Sequence, residues 1–269
     1  MEFQRPTSRR FADWRGQAVE IQLLPGQGYR TSEPTTAASI GLCYERQRGV
    51  HSIASDKYRD FDRLPGTYCS VPAGVDMFSE SELGGEYLVI RYDTTLANDL
   101  HPMTDRILRG SNYRIWTIAR AIRAALLSGQ RDHNQLEELA LQVIVAMHDS
   151  LPAEGRYPTQ IEEYRITSTG LEIIQDHLGD ERFRLSSVAA TLGLSQVAFL
   201  RTFRRVTGLS PSEFVRERRV QNARRLIEQE PKQSLSEVAF ASGFAHQSHM
   251  GSAFQRVLSM TPLQYRRAI

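Results

Sequence analysis

Hydrophobic and polar positions change rhythm partway along this chain. Up to about residue 100, short apolar runs alternate with turn formers: Ala18–Leu24 ends in Pro25-Gly26, Ala38–Tyr44 is mixed apolar, and Tyr68–Val71 sits between Pro65-Gly66 and Pro72-Ala73-Gly74. Tyr87–Tyr92 (YLVIRY) carries the strongest strand signal. Several short strands broken by Gly or Pro predict an antiparallel β-sandwich or small barrel, which encloses a cavity. From about residue 102 the period becomes helical. Ile115, Ile118, Ala119, Ile122, Ala125 and Leu126 fall on one face of a helix over roughly 112–128, and Leu136, Leu139, Ala140, Val143 and Met147 stripe a second over roughly 134–148. Such stripes either cover the open side of a sheet or form a seam between two protomers. Two prolines and a glycine in Leu151–Pro158 then interrupt both periods. This divides the chain into a domain over 1–150, a linker over 151–161 and a domain over 162–269.

The last third contains an internal repeat. Leu185-Ser186-Ser187-Val188-Ala189 through Gly193 recurs 50 residues later as Leu235-Ser236-Glu237-Val238-Ala239 through Gly243. Past the glycine the offset becomes 51, pairing Gln196 with Gln247, Phe203 with Phe254, Arg205 with Arg256 and Pro211 with Pro262, so one residue has entered the second turn near Ala245. Each copy reads as a helix-turn-helix, over about 185–206 and 235–258. Ser186 and Ser236 are expected to cap the first helix, the glycines to end it in a left-handed conformation, and Leu194 and Phe244 to plug the angle between helices. Phe199 and Phe203, and Met250 and Phe254, face inward on the second helices. Between the copies, Ser210-Pro211-Ser212-Glu213 opens a helix of some 18 residues, a rod about 27 Å long.

Composition narrows the reading. At 269 residues, 41% hydrophobic and 24% charged, the chain is long enough for two domains and is unlike disordered, collagen-like or disulfide-stapled chains. No apolar run approaches the roughly 18 residues of a membrane span, and Met1–Arg5 lacks the apolar centre of a signal peptide, so a cytoplasmic protein is expected, with no membrane partner. Cys43 and Cys69 are expected to be small buried hydrophobes. Net charge is only +2, yet from Leu185 onward 12 basic residues face 5 acidic ones, and nearly all the cations are arginine. That excess points to an anionic partner. His51 and His101 stand alone, without the His-x-His and carboxylate of a metal-dependent sandwich enzyme. Nucleophile elbow, phosphate-cradling loop and paired-cysteine zinc site are all missing from the sequence, so no catalytic residue, metal or cofactor is expected.

Leu185 to Arg267 resembles the DNA-binding domain of the AraC/XylS family of bacterial transcription regulators. The carrying residues include Gly243-Phe244-Ala245-His246-Gln247-Ser248-His249-Met250 and the closing Thr261-Pro262-Leu263-Gln264-Tyr265-Arg266. The resemblance implies a seven-helix domain whose first helix carries Leu171, Ile174 and Leu178. The strand-rich half would be similar to the family's cupin-like sensing domain, with Pro72-Ala73-Gly74 resembling a turn seen there. The expected fold class is therefore α+β: an N-terminal cupin-like β-sandwich or barrel with a helical hairpin, and a C-terminal all-α domain with two helix-turn-helix motifs. Met250 replaces the family's usual aromatic residue, and Ser252 its frequent arginine. The second reading helix should thus discriminate bases less than the first, where Arg201 stands at the equivalent place.

On that reading Gln196, Val197, Leu200 and Arg201 meet base edges from the first helix, and Gln247, Ser248 and Ser252 from the second. Ser186, Arg204, Arg205, Ser236 and Arg256 meet phosphates. His246 is the expected cap of the second reading helix. The function expected is an effector-responsive activator that reads two successive major-groove segments of double-stranded DNA. Its expected partners are a second copy of the chain, a small-molecule effector and, from the resemblance, RNA polymerase. The rival is a small-molecule enzyme or nonregulatory binding protein built on the strand-rich half.

Overall fold

Among the described residues, alternating side chains on ten short strands build two antiparallel sheets in the N-terminal part of the chain. The computed structural model describes residues 12–16, 19–34, 37–93, 108–128, 132–150, 161–180 and 183–269. The strands are β1 (Ala12–Arg15), β2 (Val19–Leu24), β3 (Tyr29–Pro34), β4 (Ala38–Cys43), β5 (Gln47–Ile53), β6 (Arg59–Arg63), β7 (Thr67–Val71), β8 (Asp76–Ser81), β9 (Tyr87–Tyr92) and β10 (Leu108–Ser111). One sheet has the order β1-β2-β9-β4-β7-β10 and the other β3-β8-β5-β6. All four strands legible in the sequence lie in the first sheet. Pro72-Ala73-Gly74 forms the β7–β8 turn, with Gly74 at φ 79°.

The six-stranded sheet buries its two faces differently. Register places Ile21 beside Ile90 and Ile90 beside Ile40, with Leu23, Leu88 and Leu42 in the next row, so one face is a continuous apolar layer. These side chains are 0–4% exposed. Helices cover that layer, α1 (Tyr113–Ser128) and α2 (His133–Asp149). Tyr44 leaves β4 on this side, donates its hydroxyl to the Ala119 carbonyl and packs its ring 5.3 Å from that of Trp116. Ile115, Ala119, Ile122, Leu136, Ala140, Val143 and Met147 are almost fully buried. The apolar stripes are thus used within the chain, and any seam between protomers is left with the outward faces of α1 and α2. Cys43 and Cys69 are free thiols, buried as expected.

The chain divides into two compact units, Met1–Ile122 with Asp132–Arg156, and Arg123–Arg131 with Tyr157–Ile269. The end of α1 therefore groups with the helical unit, which the sequence reading had not separated from the first domain. The expected linker lies, apart from Ile161, outside the described residues, as does His101.

Among the described residues the second unit holds seven further helices: α3 (Ile161–Asp176), α4 (Leu185–Thr191), α5 (Gln196–Thr207), α6 (Pro211–Gln229), α7 (Leu235–Ala241), α8 (Gln247–Leu258) and α9 (Pro262–Ala268). Leu171 and Ile174 are buried on α3, whereas Leu178 is buried in the turn beyond its end. Ser210 and Glu213 close a capping box on α6, with Pro211 at the first helical position, and Thr261, Pro262 and Gln264 repeat the device on α9.

α6 is the spine of this unit. Phe214 near its start packs its ring at a tilt against that of Phe203, and Val220, Ala223 and Ile227 join a core with Val238, Phe244, Met250, Phe254 and Tyr265. Its buried side also carries Glu217, Gln221 and Arg224, which form a ladder one turn apart. Gln221 Nε2 donates to Glu217 Oε1 at 3.2 Å, Arg224 Nη1 donates to Gln221 Oε1 at 2.7 Å, and Arg224 Nε meets the Tyr265 hydroxyl at 3.2 Å. Arg123, fully buried, closes the ladder on Glu217 at 2.6 Å.

Removing one member of a buried ion pair leaves the other charge uncompensated. Glu217→Ala is expected to destabilise the helical unit by about 3–5 kcal/mol in urea unfolding. Combining Glu217→Leu with Arg123→Met should cost much less. Equal losses for both would show that the charges are not matched to each other.

Candidate nucleic-acid interface

Two helix-turn-helix copies emerge from the repeat with matching dimensions. α4 and α7 have seven residues each, and α5 and α8 twelve each. Four residues separate α4 from α5 and five separate α7 from α8, which places the extra residue of copy two in its turn. Val188 and Ala189, and Val238 and Ala239, are buried on the first helices. Phe199 and Phe203, and Met250 and Phe254, are fully buried on the second. Phe244 plugs its turn at 7% exposure, while Leu194 is only half-buried.

Two expected caps are displaced. α7 is capped by Ser234, whose side chain accepts from the Glu237 N–H while Glu237 reaches back, and these bonds hold the Glu237 carboxyl below its usual range. Ser236 lies inside the first turn. In copy one the cap position is Arg184, which has no suitable oxygen, and Ser187 Oγ instead donates to the Arg184 carbonyl at 2.6 Å. A capping oxygen must precede the helix to reach the N–H three residues on, so Ser186 and Ser236 stand two residues too late. Both are exposed, with hydroxyls free of that task. On α5 the cap is Ser195, and His246 holds the corresponding position on α8 without a side-chain bond.

The outward faces of α5 and α8 are wet. Gln196, Arg201, Arg204 and Arg205 are exposed, Val197 is 58% exposed and Leu200 is half-buried. Gln247, Ser248, Ser252 and Arg256 are exposed in copy two. Arg205 is engaged in an ion pair with Glu163 of α3. The cationic character of α8 is supplied partly from outside it: a groove of about 520 Å³ beside its Ser252 and Arg256 is also lined by Arg184, Arg216 and Arg219. Arg219 is held there by donating Nε to the Leu178 carbonyl at 3.1 Å. The sequence reading gave no role to these three arginines. The available signal was that Arg216 and Arg219 lie on one face of α6, three residues apart. Among the described residues no cluster of His, Cys, Asp and Glu is arranged to hold a metal, and no helix is long and apolar enough to cross a membrane.

The family model described as "Helix-turn-helix domain" matches residues 188–268. The C-terminal unit therefore contains a helix-turn-helix domain. Over 88 residues, 33% of this chain, it is 33% identical to the HTH-type transcriptional regulator MtrA of Neisseria gonorrhoeae. Over 82 residues, 30% of this chain, it is 38% identical to the HTH-type transcriptional regulator GlxA of Rhizobium meliloti. The matched stretches span 29% and 25% of those relatives' own lengths. The C-terminal domain of AraT, a response regulator from Geobacillus stearothermophilus, is 27% identical over 39% of this chain and 85% of its own, with a TM-score of 0.37.

The two turn glycines occupy the same repeat position with different surroundings. Gly193 (φ 68°) has open space where a Cβ would stand, whereas a Cβ on Gly243 (φ 83°) would lie 2.2 Å from the Leu178 carbonyl oxygen. Gly193→Ala is expected to cost about 1–2 kcal/mol, the left-handed penalty alone. Gly243→Ala should cost clearly more, because the backbone must also move. Equal midpoint shifts in thermal unfolding would contradict the difference.

Proposed function

We propose that this chain is a sequence-specific DNA-binding transcription regulator, an effector-responsive activator whose two reading helices enter successive major grooves. One observation carries the reading: α5 and α8, equal in length and offset by 51 residues, leave amide, hydroxyl and guanidinium groups in water while their aromatic faces are buried. α6, with 19 residues, is about 28 Å long, short enough to hold both copies within about one 34 Å turn of DNA. Gln196, Val197, Leu200 and Arg201, with Gln247, Ser248 and Ser252, would read base edges. The exposed methyls of Val197 suit thymine. Ser186, Arg204, Arg205, Ser236 and Arg256 would grip phosphates, joined by Arg184, Arg216 and Arg219 from the groove beside α8.

The remaining partners extend this reading. The β-sandwich unit would bind the effector, a second copy would dock on the outward faces of α1 and α2, and RNA polymerase would be recruited at the promoter. A monomeric mass for the full chain at micromolar concentration would remove the dimer.

Binding to fragments selected from genomic DNA, followed by fluorescence anisotropy across a salt series, tests the central claim. Binding that is independent of both sequence and salt would reject it. Arg201→Ala is expected to cost about 1–3 kcal/mol on a selected site and little on random DNA, and equal losses would reduce Arg201 to a phosphate contact. Glu163→Gln removes the carboxylate that pairs with Arg205, so random-DNA affinity should rise at low salt and the salt slope steepen by about one. An unchanged slope would show that Arg205 does not reach DNA.

A further inference from the structure

The space between the two sheets is lined unlike an ordinary sandwich core. On the four-stranded sheet, register puts Tyr29, Gln47, His51, Phe61, Arg63, Ser79 and Ser81 on one face. Two contacts show that this face looks at the other sheet. Arg63 Nη1 donates to the Tyr87 hydroxyl at 3.2 Å, and Arg109 Nη2 lies 3.4 Å from His51 Nε2. The opposing face contributes Tyr87, Arg109 and the two cysteines. Apolar packing is thus concentrated between sheet and helices, while the space between the sheets is polar and cationic.

No carboxylate among the described residues pairs with either arginine. Asp62, adjacent to Arg63, points from the opposite face of β6 and pairs with Arg46 and Arg48. The Arg63 guanidinium sits 4.9 Å from the centroid of Phe61 and 5.9 Å from that of Tyr87, which fixes its plane, and it remains partly open to water. A guanidinium presents five N–H donors, and the Tyr87 hydroxyl takes one.

His51 adds a second, independent sign. Its ring stacks on Phe61 at 5.3 Å and the residue is 6% exposed. Burial first, then the charges of Arg109, Arg63 and Arg59, hold its pKa down to about 4, so the ring is neutral near pH 7. Arginine only donates, so Nε2 accepts from Arg109 and the ring proton is on Nδ1. That Nδ1–H is buried and has no acceptor among the described residues. Tyr29 and Tyr87 are kept protonated by burial, Tyr29 beside Ser79 Oγ at 3.1 Å, so both phenols remain hydrogen-bond donors. Burial likewise pushes the Cys43 thiol up to about 12, which leaves it unreactive.

We propose that this cluster between the sheets, Arg63 and Arg109 with the rings of Phe61, Tyr29 and Tyr87 beside them, binds a small organic carboxylate. A carboxylate presents two acceptors to the guanidinium fork and can take the orphaned His51 Nδ1–H, while the aromatic rings give apolar contact to the organic body. Inorganic phosphate would leave those rings unused. The assignment gives a chemical class to the effector placed in this unit above, and its test needs no DNA, so it can fail while the regulator reading stands.

The full chain is titrated calorimetrically at pH 7 with two acids, phenylacetate and hexanoate, and with their neutral amides and inorganic phosphate. At least one acid is expected to bind ten-fold or more tightly than its amide and than phosphate. Arg63→Met and Arg109→Met, each checked for an unchanged circular dichroism spectrum, should weaken that acid at least ten-fold, and Arg63→Lys should weaken it less than Arg63→Met. His51→Phe, which keeps the ring on Phe61 and removes Nδ1–H, should weaken it without changing the fold. Absence of binding by both acids at 10 mM, equal binding of acid and amide, tighter binding of phosphate, or full affinity in a folded Arg63→Met chain would each overturn the assignment.

Discussion

The helical unit depends on what it takes to bury a charged helix. α6 runs among the six other helices described in this unit and must put Glu217, Gln221 and Arg224 against protein rather than water. Desolvating such groups is tolerable only if each is met by a partner, and the ladder from Arg123 through Glu217, Gln221 and Arg224 to Tyr265 meets that requirement. Tyr265 also donates to Glu228 one turn further along α6, so α9 is fixed to the spine by direction-specific bonds. A purely apolar stripe would let α6 rotate or slide, whereas hydrogen bonds at successive turns define its register.

That register reaches the surface. With Phe214 held against Phe203 at one end of α6 and the Val220–Ile227 segment against Phe254 and Met250 at the other, each reading helix has its aromatic face committed to the core. Helical geometry then sends Gln196 and Arg201, and Gln247 and Ser252, outward. The two copies differ in how charge is delivered. Copy one carries arginine on its own reading helix. Copy two has serine at the matching position and borrows guanidinium groups from α6 and from the segment before α4. On the proposed reading, the second copy would serve backbone contact more than base discrimination.

The β-sandwich divides its labour by face. The six-stranded sheet turns isoleucines and leucines to α1 and α2, and this layer supplies most of the hydrophobic stabilisation of the unit. Relieved of that task, the space toward β3, β5, β6 and β8 can carry Arg63, His51 and tyrosines. A sandwich that packed both inner faces with apolar residues would have no room for such chemistry.

Periodicity and repetition made four strands of one sheet and both helix-turn-helix copies readable from residues alone. Strands β2, β4, β7 and β9 are apolar runs, and a 50- or 51-residue offset is a one-dimensional property that survives without coordinates. The amphipathic phase of Phe199, Phe203, Met250 and Phe254 sufficed to separate inward from outward positions. The polar strands β3, β5, β6 and β8 could not be found this way, because RDFDR or DMFSES becomes a strand only when neighbours satisfy its backbone and fix its register. The partners of α6 and the arginines beside α8 escaped for a related reason: sequence gives the face a charge occupies, but the group opposite it comes from elements 41 residues away for Tyr265 and further still for Arg123. Local pattern determined the apolar strands, the helices and which way they point, and long-range packing alone decided the polar strands and which buried charges meet.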